Sequence, residues 1–130
     1  MANEISFTLG ISVTNGLFQS IPVPTQNIPI NQTNPGVGGL IIVVAPGGGY
    51  TASFAPASVV STPGVTWMQN VSANGAVVTV ASSSASPAQV IAVLAPGQFV
   101  VIPQGGVAVA SFEFSTPTST AIMDCQVLNA

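Results

Sequence analysis

The chain has 130 residues and a mass of 12.9 kDa, the size of one domain able to bury a real core. An average chain of this length carries about 30 charged side chains; this one has three, Glu4, Glu113 and Asp124, and no lysine, arginine or histidine. Such a composition excludes a basic nucleic-acid footprint, a lysine Schiff base, a P-loop lysine, an arginine clamp and an imidazole base.

From the N-terminus, Ile5, Phe7, Leu9, Ile11 and Val13 alternate with Ser6, Thr8, Gly10, Ser12 and Thr14. That is the period of a half-buried strand. Asn15-Gly16 supplies the residues of a tight turn, and a second strand is expected from Leu17 to Ile21. Pro22, Pro24, Pro29 and Pro35 then punctuate a stretch of Gln, Asn and Thr. Its missing amide donors forbid a central strand, so an extended surface connection is expected over about 22–35.

Further strands are expected near Leu40–Ala45, Tyr50–Phe54, Val65–Val71, Ala76–Ser82, Gln89–Leu94, Gln98–Ile102, Val107–Phe114 and Ala121–Leu128. Pro-Gly recurs at 35–36, 46–47, 63–64 and 96–97, where proline presets φ and glycine accepts the positive φ of a type II turn. Asn74-Gly75 and Gln104-Gly105-Gly106 add two more turn sites. Turns spaced by about 8–12 residues, with β-branched runs between them, indicate an all-β fold. The expectation is one domain over 1–130, an antiparallel β-sandwich or a jelly-roll-like barrel of about 8–10 strands. The repeated Ala-Pro-Gly at 45–47 and 95–97 is explained by turn chemistry without duplication.

The densest apolar runs, 39–45 and 89–95, each end at Pro-Gly, far short of the roughly 20 residues of a spanning helix. The aromatic residues are scattered singly and form no girdle of a lipid-facing barrel. Met1-Ala2-Asn3-Glu4 has no positive n-region, so folding in the cytosol where the chain is made is expected, with no membrane partner.

Few residues invite a chemical role. Cys125 has no partner for an internal disulfide and no cation to stabilise a thiolate, and its alternation with polar neighbours suits a small buried hydrophobe. Two of the three carboxylates could form a glycosidase pair; Glu113 and Asp124, however, read as solvated positions on outer strand faces. No acid cluster seeds a calcium site. Asn31-Gln32-Thr33 and Asn70-Val71-Ser72 match the glycosylation sequon, but no secretory signal accompanies them. Trp67, Tyr50 and Phe99 could form a sugar-stacking platform, although nothing in the sequence places them together, and core packing or a subunit contact is the simpler reading of Trp67. Gly36, Gly38, Gly39 and Gly47-Gly48-Gly49 lack the following lysine and helix start of a phosphate loop. No catalytic, cofactor-binding or metal-binding residue is therefore expected, and no enzyme activity.

With almost no charge, the outer faces must be built from Ser, Thr, Asn and Gln. Such a surface is easily desolvated, and a net charge of −3 gives little self-repulsion. Both properties suit a subunit embedded in a larger assembly.

Several motifs appear in order: Ser12-Val13-Thr14-Asn15-Gly16, Asn31-Gln32-Thr33, a Thr62-Pro63-Gly64 turn leading into Trp67-Met68-Gln69-Asn70, Leu94-Ala95-Pro96-Gly97-Gln98-Phe99-Val100-Val101, and a closing Cys125-Gln126-Val127-Leu128. In this order they resemble a group of small all-β structural proteins from tailed bacteriophages. The resemblance implies a virion component, and a capsid decoration or cement protein on the outer shell is expected. Its partners would be the major capsid protein and copies of itself, a trimer being the expected oligomer, with no nucleic acid and no cofactor. The alternatives are a tail or head-fibre module binding a host-surface glycan through exposed aromatics and, more remotely, a two-carboxylate hydrolase.

Overall fold

A computed structural model describes residues 5–9, 26–30, 37–83, 87–104 and 111–129. In chain order the strands are β1 (Ile5–Leu9), β2 (Gln26–Ile30), β3 (Val37–Val44), β4 (Ala52–Phe54), β5 (Pro63–Asn70), β6 (Val78–Ser82), β7 (Gln89–Leu94), β8 (Phe99–Pro103), β9 (Phe112–Ser115) and β10 (Ala121–Asn129). A single 3₁₀ turn, Pro56–Ser58, separates β4 from β5. The expected second strand at 17–21, the turns at 15–16, 35–36 and 105–106, and the first part of the strand expected at 107–114 lie outside the described residues.

Contacts divide the chain into two compact units, Met1–Thr33 and Asn34–Ala130. In the first unit β1 and β2 pair antiparallel, with Ile5 opposite Ile30 and Leu9 opposite Gln26. A strand thus occupies part of the stretch expected to be connection only. The reason is the edge: a two-stranded ribbon has no central strand, so Pro29, opposite Ser6 and without an amide hydrogen to donate, leaves no second neighbouring strand short of a bond.

The second unit holds two four-stranded sheets, ordered β3-β10-β5-β8 and β4-β9-β6-β7, with every strand pairing antiparallel. Val44, Met68, Ala121, Met123, Cys125 and Val127 of the first meet Phe54, Val78, Val80, Leu94, Phe112 and Phe114 of the second in one buried cluster. The architecture is a β-sandwich, not a closed barrel. The period of two explains the core directly: along β10 the residues from Ala121 to Val127 at every second position are buried, and those between them face outward.

Two glycines carry distinctive backbone roles. In Ala95-Pro96-Gly97-Gln98 the Gln98 amide donates to Ala95 O at 3.0 Å and Gly97 takes φ 83°, the expected type II turn between β7 and β8. Gly39, at φ 70°, sits where β3 gains one residue relative to β10, since Leu40 pairs with Cys125 but Val37 with Val127. This is a β-bulge, and its left-handed residue is the one that needs to be glycine.

The Pro63-Gly64 expectation needs correcting. These residues open β5 rather than forming a turn: Pro63 lies opposite Asn129, and Gly64 O accepts the Gln104 amide at 2.8 Å. A proline is tolerated as the first residue of a strand, where its missing donor is not required by the ladder. At Pro46-Gly47 the proline forms a parallel bridge with Thr116 and the Gly47 amide donates to Thr116 O at 3.2 Å.

Candidate functional site

The two sheets turn different residues to the outside. On the β3-β10-β5-β8 sheet, cross-strand register lines outward residues into rows. One row runs Ile41, Asp124, Gln69, Phe99; the next runs Gln126, Trp67, Val101 and ends at the glycine bulge of β3. Val43 and Ile122 form the margin beside the first row. Ile41, Val43, Ile122 and Phe99 are exposed, Val43 by 61% and Phe99 by 56%, while Trp67, Gln69, Asp124 and Gln126 are half-buried. On the β4-β9-β6-β7 sheet the rows hold Ser53, Glu113, Ser115 and Thr79, with the small buried Ala81 beside Glu113, and the exposed apolar side chains of its strands lie along β7 at its end.

Trp67 and Phe99, which the sequence could not place together, are neighbours on the first face. They occupy diagonal positions on β5 and β8, and their ring centroids lie 6.2 Å apart with planes tilted by 32°. Trp67 is therefore an outer-face residue and not core packing. Tyr50 is elsewhere: with Gly47, Gly48 and Gly49 it lines a depression of about 380 Å³ closed by Thr79, Ser115, Thr116 and Pro117.

Hydrogen bonding fixes the polar middle of the first face. Gln69 Nε2 donates to Gly97 O at 3.0 Å, which anchors the amide to the β7–β8 turn and leaves its oxygen directed elsewhere. Gln126 packs beside Gly38, where a Cβ would lie 3.5 Å from the Gln126 side chain. Asp124 Oδ1 is sealed from water yet has no hydrogen-bond partner among the described residues. Asp124 is thus not the fully solvated acid expected from the pattern. Ile41 and Gln69 flank it in the row.

The other sequence candidates fall as follows. Glu113, on β9, and Asp124, on β10, point out of opposite sheets of the sandwich, so the described carboxylates form no pair across a common cleft. Glu4 lies outside the described residues. Among the described residues no group of three or more His, Cys, Asp or Glu side chains is gathered to hold a metal, and no helix is long and apolar enough to cross a membrane. Cys125 is buried and free; burial first, and the Asp124 carboxylate second, push its thiol up to about 12.

Asn70, the sequon residue at the end of β5, has a structural task that the sequence did not disclose. It is fully buried. Its Nδ2 donates to Ala76 O at 2.8 Å and to Leu94 O at 2.9 Å, and its Oδ1 accepts the Ser72 amide at 3.0 Å. One side chain thereby ties a strand of the first sheet to segments entering and leaving the second. The sequon at 31–33 lies outside the described residues.

No protein-family model, no curated protein and no solved structure matches this chain. The site must therefore be read from its own residues. Gln69 and Gln126, which complete the face around Trp67, stood in the sequence only as parts of strand motifs, with no site role. The alternations Trp67-Met68-Gln69 and Asp124-Cys125-Gln126 already put each pair on one face of its strand. Only the β5–β10 register, Asp124 opposite Gln69 and Gln126 opposite Trp67, joins the pairs.

Proposed function

We propose that the protein is a structural subunit of a virion, a decoration or cement protein on the outer capsid surface that oligomerises and bridges neighbouring capsid subunits. The observation that supports this reading is the β7 edge. β7 is the end strand of its sheet, and over Gln89–Leu94 it carries Val90, Ile91 and Val93 exposed, with no charge and no proline. Natural edge strands are blunted by lysine, proline or bulges, because their unpaired backbone groups invite another strand. Here the one such device is an extra residue at Ile91, since Val80 pairs with Ala92 but Ala81 with Val90.

A strand from a neighbouring copy added at β7 would satisfy the outward backbone groups and cover these three side chains. The low net charge offers little repulsion against such packing. The resemblance to small phage structural proteins supplies the virion context, and the major capsid protein is the further partner. Retention on the particle then rests on apolar and amide contacts. It is expected to persist in about 1 M salt, where the Debye length shrinks to about 3 Å, and to fail in urea, which solvates apolar and peptide groups.

The test is sedimentation of the full chain beside a Val90→Lys/Val93→Lys variant. An oligomer that becomes a monomer in the variant, with an unchanged circular dichroism spectrum, supports the reading. A wild-type chain that stays monomeric at high concentration overturns it. Pelleting of source particles across salt and urea series tests the capsid contact, and release by moderate salt alone would reject the apolar mechanism.

A further inference from the structure

We infer that the outer face of the β3-β10-β5-β8 sheet is a binding site for a neutral carbohydrate. The inference is independent of the assembly reading, which rests on the opposite sheet. Its starting point is an inversion. Protein interfaces place apolar residues at the centre and polar ones at the rim. On this face the amides and carboxylate of Gln69, Gln126 and Asp124 form the middle, next to Trp67 and Phe99, and the aliphatic residues form the margin.

Such a middle matches the chemistry of a sugar ring. One face of a pyranose presents C–H groups that sit on the negative face of an aromatic ring. Its rim presents hydroxyls, which both donate and accept. Trp67 and Phe99, tilted by 32°, offer two adjacent stacking surfaces, as successive units of a twisted oligosaccharide require. Gln69, in register beside Phe99, holds its nitrogen on Gly97 O and so presents its oxygen as an acceptor. Gln126 lies beside Trp67 in the next row, and Asp124 between Ile41 and Gln69. Asp124 Oδ1 is sealed from water and so out of a ligand's reach; what the residue adds to the face is its negative charge.

Charge and size narrow the ligand. With no lysine, arginine or histidine anywhere in the chain, nothing can neutralise a sialic acid, a uronic acid or a phosphate, and Asp124 would repel each of them. Adjacent outward rows lie about 7 Å apart, and β10, β5 and β8 together cover about 10 Å. That footprint suits a short oligosaccharide and falls far below the about 800 Å² that each partner of a standard protein interface buries. The glycine bulge of β3 leaves the open end of the second row clear, because a Cβ at Gly39 would meet nothing within 4 Å.

Trp67 is the only tryptophan, so tryptophan emission, excited where Tyr50 does not absorb, reports on this face alone. The full chain is titrated with maltohexaose, cellohexaose and mannohexaose, and screened on an array that includes neutral and acidic glycans. The expected result is a saturable change of Trp67 emission with at least one neutral oligosaccharide, and array signal confined to neutral structures. Calorimetry then compares variants with native circular dichroism: Trp67→Ala abolishes binding, and Phe99→Ala and Gln126→Ala each weaken it at least tenfold. Thr79→Ala, on the outer face of the other sheet, leaves it unchanged. Absence of saturable binding to every neutral glycan, preference for acidic glycans, or binding that survives in both Trp67→Ala and Phe99→Ala overturns the inference. Oligomer loss in the β7 variant would bear on assembly only.

Discussion

The two sheets of the sandwich share one inner face and differ on their outer ones. Inward, both supply alternate valine, phenylalanine and methionine to a single core. Outward, the β4-β9-β6-β7 sheet shows hydroxyls and one carboxylate and turns apolar only at its β7 edge, whereas the β3-β10-β5-β8 sheet groups aromatics, amides and Asp124 inside an aliphatic margin. The comparison teaches that a chain nearly free of charge can still make its two outer surfaces chemically different. It does so by where aliphatic, aromatic and amide groups fall: an aliphatic edge strand on one sheet, and an aromatic and amide face on the other.

The largest effect is expected where the two sheets are joined, because without that joint there are no two faces to compare. Asn70→Ala removes two donated hydrogen bonds and one accepted one, all buried. At about 1–3 kcal/mol for each buried group left short of a partner, the variant should lose about 3 kcal/mol or more in urea denaturation. A loss below about 1 kcal/mol would mean that the apolar core alone holds the sheets together.

Alkaline titration sharpens the contrast between the sheets' interiors, since only the first buries a thiol. The Cys125 thiol is held up at about 12 in the folded chain, by burial and then by Asp124, against an ordinary value of 9.0. Between those values the unfolded chain has lost a proton that the folded one retains, so stability must fall as pH rises from about 9 towards 12. Below 9.0 both states hold the proton and this contribution is flat. Stability measured by urea denaturation across that range should decline in the native chain and decline less in Cys125→Ala; equal slopes would show that the thiol does not titrate differently in the two states.

A smaller difference separates the outer faces themselves. Trp67→Ala removes a tilted aromatic pair, worth about 0.5–1.5 kcal/mol beyond the area it buries, and thermal melts should register about that loss or somewhat more. Ser53→Ala on the other outer face should stay within about 0.5 kcal/mol, as exposed substitutions usually do. Equal costs at the two positions would break the distinction between the faces. The smallest effect is expected at Glu113→Gln, also within about 0.5 kcal/mol and insensitive to salt in the same melts, because the chain holds no lysine, arginine or histidine to pair with it.

Much of the fold was legible because strand grammar is local. Alternation along 121–128 marked both β10 and its buried half, and Gln89–Leu94 was bounded correctly by its flanking prolines. The misreadings share a cause. Pro63-Gly64 carries the residues of a turn, but whether a proline opens a strand or bends a chain depends on the strand beside it, here β10. Pro29 in β2 is the same case, decided by its pairing with β1. Asn70 looked like a sequon on a strand end. Its role appeared only when Ala76 and Leu94, 6 and 24 residues away, converged on its amide.

By itself, then, the sequence determined an all-β chain with period-two burial, a surface with few charges and none positive on a side chain, and the exclusion of chemistry that needs a cationic side chain, since each of these depends on residue type or on neighbours two positions apart. The tertiary structure decided that the sheets form a sandwich rather than a closed barrel, that Trp67 and Phe99 lie together with Gln69, Gln126 and Asp124, that Glu113 and Asp124 face apart, and that β7 is an edge. Those facts depend on strand order and register. Both are set by which inner faces bury together, a choice made among residues far apart in the chain, where alternation within one strand carries no information about its neighbour.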